Sequence, residues 1–219
     1  RCVNELGMVG GVLPAVASGG RRFSGPEFYP LWEEAQRLDV PISTHGGLSF
    51  PHLGLDLVAN FTVAHTLEHP FAQMRQLVSM IFEGVFESFP KLRFGYLECG
   101  IGWVPWLMDR MDEELERKAQ YSPRCKLKPS AYFRNGNIFF AAEVGEAALP
   151  LAVQFLRPDV VIWASDYPHE RDQRDFKEDI PTLIRRDDIS DDVKRRIFFD
   201  NPLRFYPRLG IRLEAKAAR

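Results

Sequence analysis

Four residues of metal-ligating or acid/base type stand out by position, because His45, Glu98, Glu143 and Asp166 each close a short apolar run. In Pro41-Ile42-Ser43-Thr44-His45-Gly46-Gly47 the run delivers an imidazole, and the two glycines let the backbone turn away closely behind it. In Trp163-Ala164-Ser165-Asp166-Tyr167-Pro168-His169 it delivers a carboxylate, whose burial without a partner would be costly. A divalent cation answers that need. Zinc accepts imidazole and carboxylate in one shell and lowers the pKa of a bound water to about 7 in hydrolytic sites. His45 and Asp166 are therefore read as metal ligands, with Asp166 also a proton acceptor.

Taken singly, each of these residues is more simply a cap for the helix that follows. Four of them on successive strands make convergence on one pocket the better reading. Glu98 serves as a catalytic acid or base if burial lifts its pKa toward neutrality. Glu143 is a substrate-facing or supporting residue, with helix capping a nearly equal alternative. His169 is placed to orient Asp166 or reach substrate, or else only shapes the Tyr-Pro-His turn. His52, His65 and His69 are placed in or near the long loop after His45, where such loops often contact substrate, though each is more simply read as exposed. Trp103 and Trp106 line the pocket or, the commoner fate of aromatic residues at helical spacing, pack against its wall.

The elements that must position these groups alternate. Met8 to Leu13, Val40 to His45, Leu92 to Leu97, Asn137 to Ala142 and Val160 to Ala164 are short runs bounded by turn residues, expected as strands buried on both faces. Between them, Phe28 to Leu38, Phe71 to Phe89 (broken late by Gly84), the segment around Trp103 to Met111, and Glu146 to Phe155 carry helical periodicity. The charged stretch Asp112 to Lys118 reads as a solvated face, and Tyr121 to Asn135 as loop. Strands without alternating polarity, each followed by a helix, predict a parallel α/β sheet. No glycine-rich phosphate loop follows any strand, which favours a closed (β/α) barrel over an open nucleotide-binding sheet.

Composition narrows the ligand. The 219 residues are 45% hydrophobic and 26% charged, enough for one domain spanning 1–219, with 210–219 as a tail. Lys and Arg number 28 against 30 Asp and Glu, so no basic face is offered to nucleic acid or a membrane, and a small molecule is the expected partner. A homodimer is compatible with this composition. Cys2, Cys99 and Cys125 lack metal or disulfide spacing, and no secretory leader or membrane span is legible, which fits the cytoplasm. The chain opens on Arg1 with what reads as the end of a helix, as expected of a fragment or cleaved product.

As an ordered set, several segments resemble the amidohydrolase superfamily, in the branch that includes aminocarboxymuconate semialdehyde decarboxylase. They are Thr44-His45-Gly46-Gly47, Phe89-Pro90-Lys91-Leu92-Arg93-Phe94 running to Glu98-Cys99-Gly100 and Trp103, Ala164-Ser165-Asp166-Tyr167-Pro168-His169-Glu170, and Asp200-Asn201-Pro202 with Phe205-Tyr206. The resemblance implies a (β/α)₈ TIM barrel of which about strands four to eight are present. It implies one divalent metal, zinc by expectation, with His45 as the fifth-strand ligand and Asp166 as the eighth-strand ligand. The family's first-strand His-x-His does not occur in these residues, so weak metal binding by this chain alone is expected. Glu98 stands where the decarboxylases carry a catalytic histidine. Hydrolysis of a small amide, ester or lactone by a metal-activated water is the leading expectation. Non-oxidative decarboxylation of an aromatic or muconate-like acid is the first alternative, and a catalytically silent ligand-binding barrel the second.

Overall fold

In the computed structural model, residues 1–46, 60–167, 169 and 176–210 are described. His52 and the rest of the segment after Gly46, Pro168, Glu170 and the 211–219 tail lie outside them. Five strands, β1 Gly11–Pro14, β2 Ile42–His45, β3 Phe94–Leu97, β4 Ile138–Ala141 and β5 Val161–Ile162, form one sheet in sequence order. Every neighbouring pair is parallel, with registers such as Ile42 to Phe94 and Phe94 to Ile138. Consecutive parallel order with helical crossovers is the arrangement of a (β/α) barrel wall.

The crossovers are α1 Tyr29–Leu38, α2 Phe61–Phe82 with the short α3 Val85–Ser88, α4 Val104–Lys118 with α5 Pro129–Arg134, and α6 Leu149–Phe155. After β5 come α7 Asp179–Arg185, α8 Asp191–Arg195, a π-helical turn Arg196–Asp200 and α9 Asn201–Phe205. The main core lies between sheet and helices, where Trp32, Phe94, Tyr96, Phe133 and Phe140 are fully buried. On the other face Phe205 packs against Phe139, with ring centroids 4.7 Å apart, and against Gly95, where a Cβ would run into its ring. Asn201 fixes that closing helix by donating to Pro158 O at 2.7 Å and Val161 O at 2.6 Å.

Several expectations are corrected. β1 is not buried on both faces: it alternates, and Val12 is 63% exposed, because β1 borders the sheet of the described residues. The helix expected from Phe71 begins ten residues earlier, at Phe61, with Asn60 capping it by accepting from Val63 N at 3.0 Å. Pro70 lies inside this helix and not at its start. Gly84 ends it in the left-handed conformation, φ 77°, as its lack of a side chain allows. The expected loop from Tyr121 to Asn135 contains α5, tied down by Ser130 N donating to the buried Asp112 at 2.8 Å. Asp112 thereby departs from the solvated face around it. Helix α6 starts at Leu149, three residues later than expected. Trp106 is 60% exposed and so is not packed into the wall.

Candidate functional site

The C-terminal ends of β2, β3, β4 and β5 lead into His45, Glu98, Glu143 and Asp166, on one edge of the sheet. Glu98 and Asp166 both adopt left-handed backbone conformations, φ 53° and 52°. Such conformations cost a non-glycine residue energy and gather at functional sites. They turn the two carboxylates off their strand axes toward a cavity of about 410 Å³ whose lining includes His65, His69, Glu98, Cys99, Glu143 and Asp166.

Within it Glu98 is the hub. Its Oε2 meets His45 Nε2 directly, its Oε1 lies 3.5 Å from His69 Nε2, and it also forms a compact three-donor group with Asp166 and His169. No such group among the described residues contains both His45 and Asp166. His45 Nδ1 lies 2.6 Å from the Gly46 carbonyl, which fixes Nε2 as the free nitrogen facing Glu98. The contact with Glu98 raises His45 to about 9, against the opposing effect of burial. Burial pushes Glu98 up, but the contact with His45 and its charge prevail and hold the carboxyl below its usual range. Glu98 is thus an anion, and not a carboxyl lifted toward neutrality. Burial lowers His69 and holds the Cys99 thiol far above its ordinary range, which leaves Cys99 inert.

Helix α2 braces this edge. Gln73, fully buried, donates to Thr44 O and Leu97 O, both at 3.0 Å, while its Oε1 accepts from the Thr44 hydroxyl. These carbonyls immediately precede His45 and Glu98. Three residues on, Gln76 donates to Ala15 O at 2.7 Å, beyond the end of β1. The same helix carries Phe61, His65 and His69 as a column of rings, 5.2 Å and then 4.5 Å between centroids. His65 and His69 are therefore helical, and His69, 6% exposed, is not the exposed loop histidine expected. Their spacing of four residues was the sequence signal for a shared helix face. Gly46 makes room for them, since a Cβ there would collide with the His69 ring.

The remaining candidates separate. His169 Nδ1 lies 3.1 Å from Asp166 Oδ1 on the exposed side of the cavity. Glu143 lines the cavity, while Glu146 Oε1 accepts from Ile101 N at 2.8 Å and Gly102 N at 2.7 Å in the turn before α4. Trp103 donates its indole N–H to Cys99 O at 3.0 Å and Gly100 O at 2.9 Å, shaping the turn after Glu98.

A parallel sheet in sequence order, with imidazoles and carboxylates gathered at the strand C-termini, defines a (β/α)-barrel protein with a metal-type site. The amidohydrolase family model matches residues 1–208, and the chain belongs to that family. It is 25% identical over 182 residues to the decarboxylase orsB of Emericella nidulans, covering 80% of this chain and 54% of that protein. It is 30% identical over 239 residues to 2-keto-4-carboxy-3-hexenedioate hydratase of Sphingobium sp., covering 99% of this chain and 62% of that protein. The structure of dihydroxybenzoic acid decarboxylase from Polaromonas sp. JS666, with bound manganese and the inhibitor 2-nitroresorcinol, superposes with a TM-score of 0.73 at 20% identity. That match covers 94% of this chain and 63% of the other. The chain thus spans little more than half the length of these relatives. Decarboxylases recur among these relatives, so of the expected activities the carboxy-lyase alternative is the better supported. No helix among the described residues is long and apolar enough to cross a membrane.

Proposed function

We propose that this chain forms the metal-site half of a non-oxidative carboxy-lyase acting on a hydroxylated aromatic or muconate-like acid. The observation that carries the proposal is that Glu98 and Asp166 line one small-molecule-sized cavity, with His45 set directly against Glu98, in a family whose relatives include decarboxylases.

The donor set fits a divalent ion. His45 turns Nε2 inward against Glu98 Oε2, a carboxylate oxygen shielded from solvent. His45 and Asp166 would hold the ion, as the family resemblance implies, with Glu98 between them. Zinc and manganese both accept such imidazole and carboxylate donors. When bound, the ion supplies positive charge that neutralises the carboxylate and adjacent oxygen of an acidic substrate.

The chain's own groups then divide the work. The Asp166–His169 pair, open to solvent on one side, holds the proton that the ring or vinyl carbon takes up as its bond to the carboxylate carbon breaks. The electron pair of that bond stays on the carbon, receives the proton, and carbon dioxide leaves. Glu98 keeps the His45 imidazole aligned. Pro70 and the His65 and His69 rings give the cavity a wall for a planar substrate.

A hydratase, also a lyase, is the second reading. It is favoured by the 30% identical relative and by Glu98 standing where the decarboxylases carry histidine. The test is incubation of the complete gene product, loaded with manganese or zinc, with hydroxybenzoates and carboxylated muconate-like acids. Release of carbon dioxide with a decarboxylated product supports the proposal. Gain of water by an unsaturated acid, without gas release, supports the hydratase, and hydrolysis of esters or lactones alone would refute both.

A further inference from the structure

The wall that helix α2 gives the cavity has a gap in its main-chain hydrogen bonding. His65, Thr66, His69 and Pro70 line the cavity, and their one-turn spacing puts them on one face of the helix. In an uninterrupted helix the residue at position 70 donates its N–H to the carbonyl of Thr66, four residues back. Proline has no N–H, and its ring crowds that carbonyl. The Thr66 carbonyl therefore lacks its helical donor. Because Thr66 and Pro70 both border the cavity, the gap between them opens on it.

Packing carries the helix through this break, since Glu68, His69, Ala72 and Gln73, on either side of Pro70, are all buried. The neighbouring side chains are engaged elsewhere. The Thr66 hydroxyl donates to the Thr62 carbonyl at 2.7 Å, back along the helix. His69 turns Nε2 to Glu98 and Nδ1 to Glu68, and the His65 ring is held between those of Phe61 and His69. A main-chain carbonyl is an uncharged acceptor with two lone pairs. It takes a hydroxyl proton, and an ether oxygen in the same place offers it none.

We propose that the Thr66 carbonyl, freed by Pro70, is the subsite for a hydroxyl of the substrate, and that it selects hydroxylated acids over their O-alkylated counterparts. This rests on the reading of the cavity as the site of a carboxy-lyase. Thr66 contributes a main-chain atom, so its side chain is not the determinant, and Pro70 is the positioning residue. The ring of the acid lies along the wall of His65 and His69, with its hydroxyl turned to the gap.

The test compares the complete gene product, loaded with manganese, with its Pro70→Ala variant. Monohydroxybenzoates and dihydroxybenzoates, each beside its methyl ether, are titrated by calorimetry, and carbon dioxide release is measured in parallel. Alanine returns an N–H to the helix and so occupies the Thr66 carbonyl. The expected result is a wild type that binds a hydroxy acid more tightly than its ether. Pro70→Ala should weaken the hydroxy acid about 3–10-fold, the worth of one neutral hydrogen bond, and leave the ether unchanged. A variant that weakens both alike, weakens neither, or only improves the ether would overturn the subsite, while carbon dioxide release by the wild type keeps the carboxy-lyase reading standing. Loss of the hydroxyl preference in the variant, without gas release from any acid, would uphold the subsite and overturn that reading. Absence of both binding and gas release in the wild type would sink the two together. Should Pro70→Ala fail to fold by circular dichroism, a crystal structure of the wild type with the bound hydroxy acid decides. A hydroxyl oxygen about 2.5–3.0 Å from the Thr66 carbonyl upholds the proposal, and a carbonyl that meets only water overturns it.

Discussion

The imidazole of His45 and the carboxylate of Glu98 meet across adjacent parallel strands, β2 and β3, whose register sets His45 opposite Leu97. Glu98 is one residue beyond that pair, and its left-handed backbone turns it back toward Nε2. The contact raises His45 to about 9. In Glu98→Gln the negative charge is removed and only a neutral amide oxygen is left as acceptor, so His45 should fall toward the ordinary histidine value of about 6.5. Nuclear magnetic resonance titration of the metal-free chain reads this directly. A His45 pKa still near 9 in the variant would show that another group holds its proton.

Metal affinity should rise with pH. A cation must displace the proton that Glu98 holds on His45 up to about pH 9. With one proton displaced, the apparent affinity gains roughly tenfold per pH unit and levels off above that value. Stability of the metal-free fold moves the other way. A pKa raised above its unfolded value contributes fully below about 6.5, and that contribution is lost as pH climbs through about 9. Zinc or manganese titrations and thermal melts at a series of pH values measure the two slopes. A metal affinity flat from pH 6 to 9 would contradict the pairing.

Gln73 offers a stability test outside the titrating groups. Its side chain satisfies the Thr44 and Leu97 carbonyls and accepts from the Thr44 hydroxyl in a fully buried position. In Gln73→Leu these groups lose their partner, and each buried unsatisfied group costs about 1–3 kcal/mol. The variant should unfold at clearly lower denaturant concentration, and its metal affinity should fall as the ends carrying His45 and Glu98 loosen. Unchanged stability and unchanged metal affinity would show that the brace has no such duty.

What the sequence makes legible here follows from burial. His45, Glu98 and Asp166 are visible because each ends an apolar run, and a charged or ionisable group after a buried strand has few bland explanations. β4 is legible for the same reason, being buried on both faces at every residue from Ile138 to Ala141. His69 is hidden because Pro70 follows it and proline ordinarily marks a helix start, so the first turns of α2 read as loop. Gln73 and Gln76 are hidden because an amide on a helix reads as solvated, and only the sheet edge beneath them gives it buried work. Val12 misleads in the opposite direction. Its run is apolar enough for a central strand, yet β1 borders the described sheet and one face is open. The left-handed turns at Glu98 and Asp166 carry no local sequence signal, since neither position is a glycine.

The central claim is that the strand-end cluster is the seat of metal-dependent lyase chemistry, and Asp166→Asn tests it most directly. Asparagine keeps the volume of aspartate but removes the negative charge that helps hold a cation and that faces His169. In the complete gene product, metal content and carbon dioxide release from the acid identified as substrate should be measured alongside a circular dichroism spectrum. The account predicts an intact fold with turnover reduced beyond the roughly 10–100-fold typical of a supporting residue. Near wild-type turnover in Asp166→Asn, with metal still bound, would contradict it.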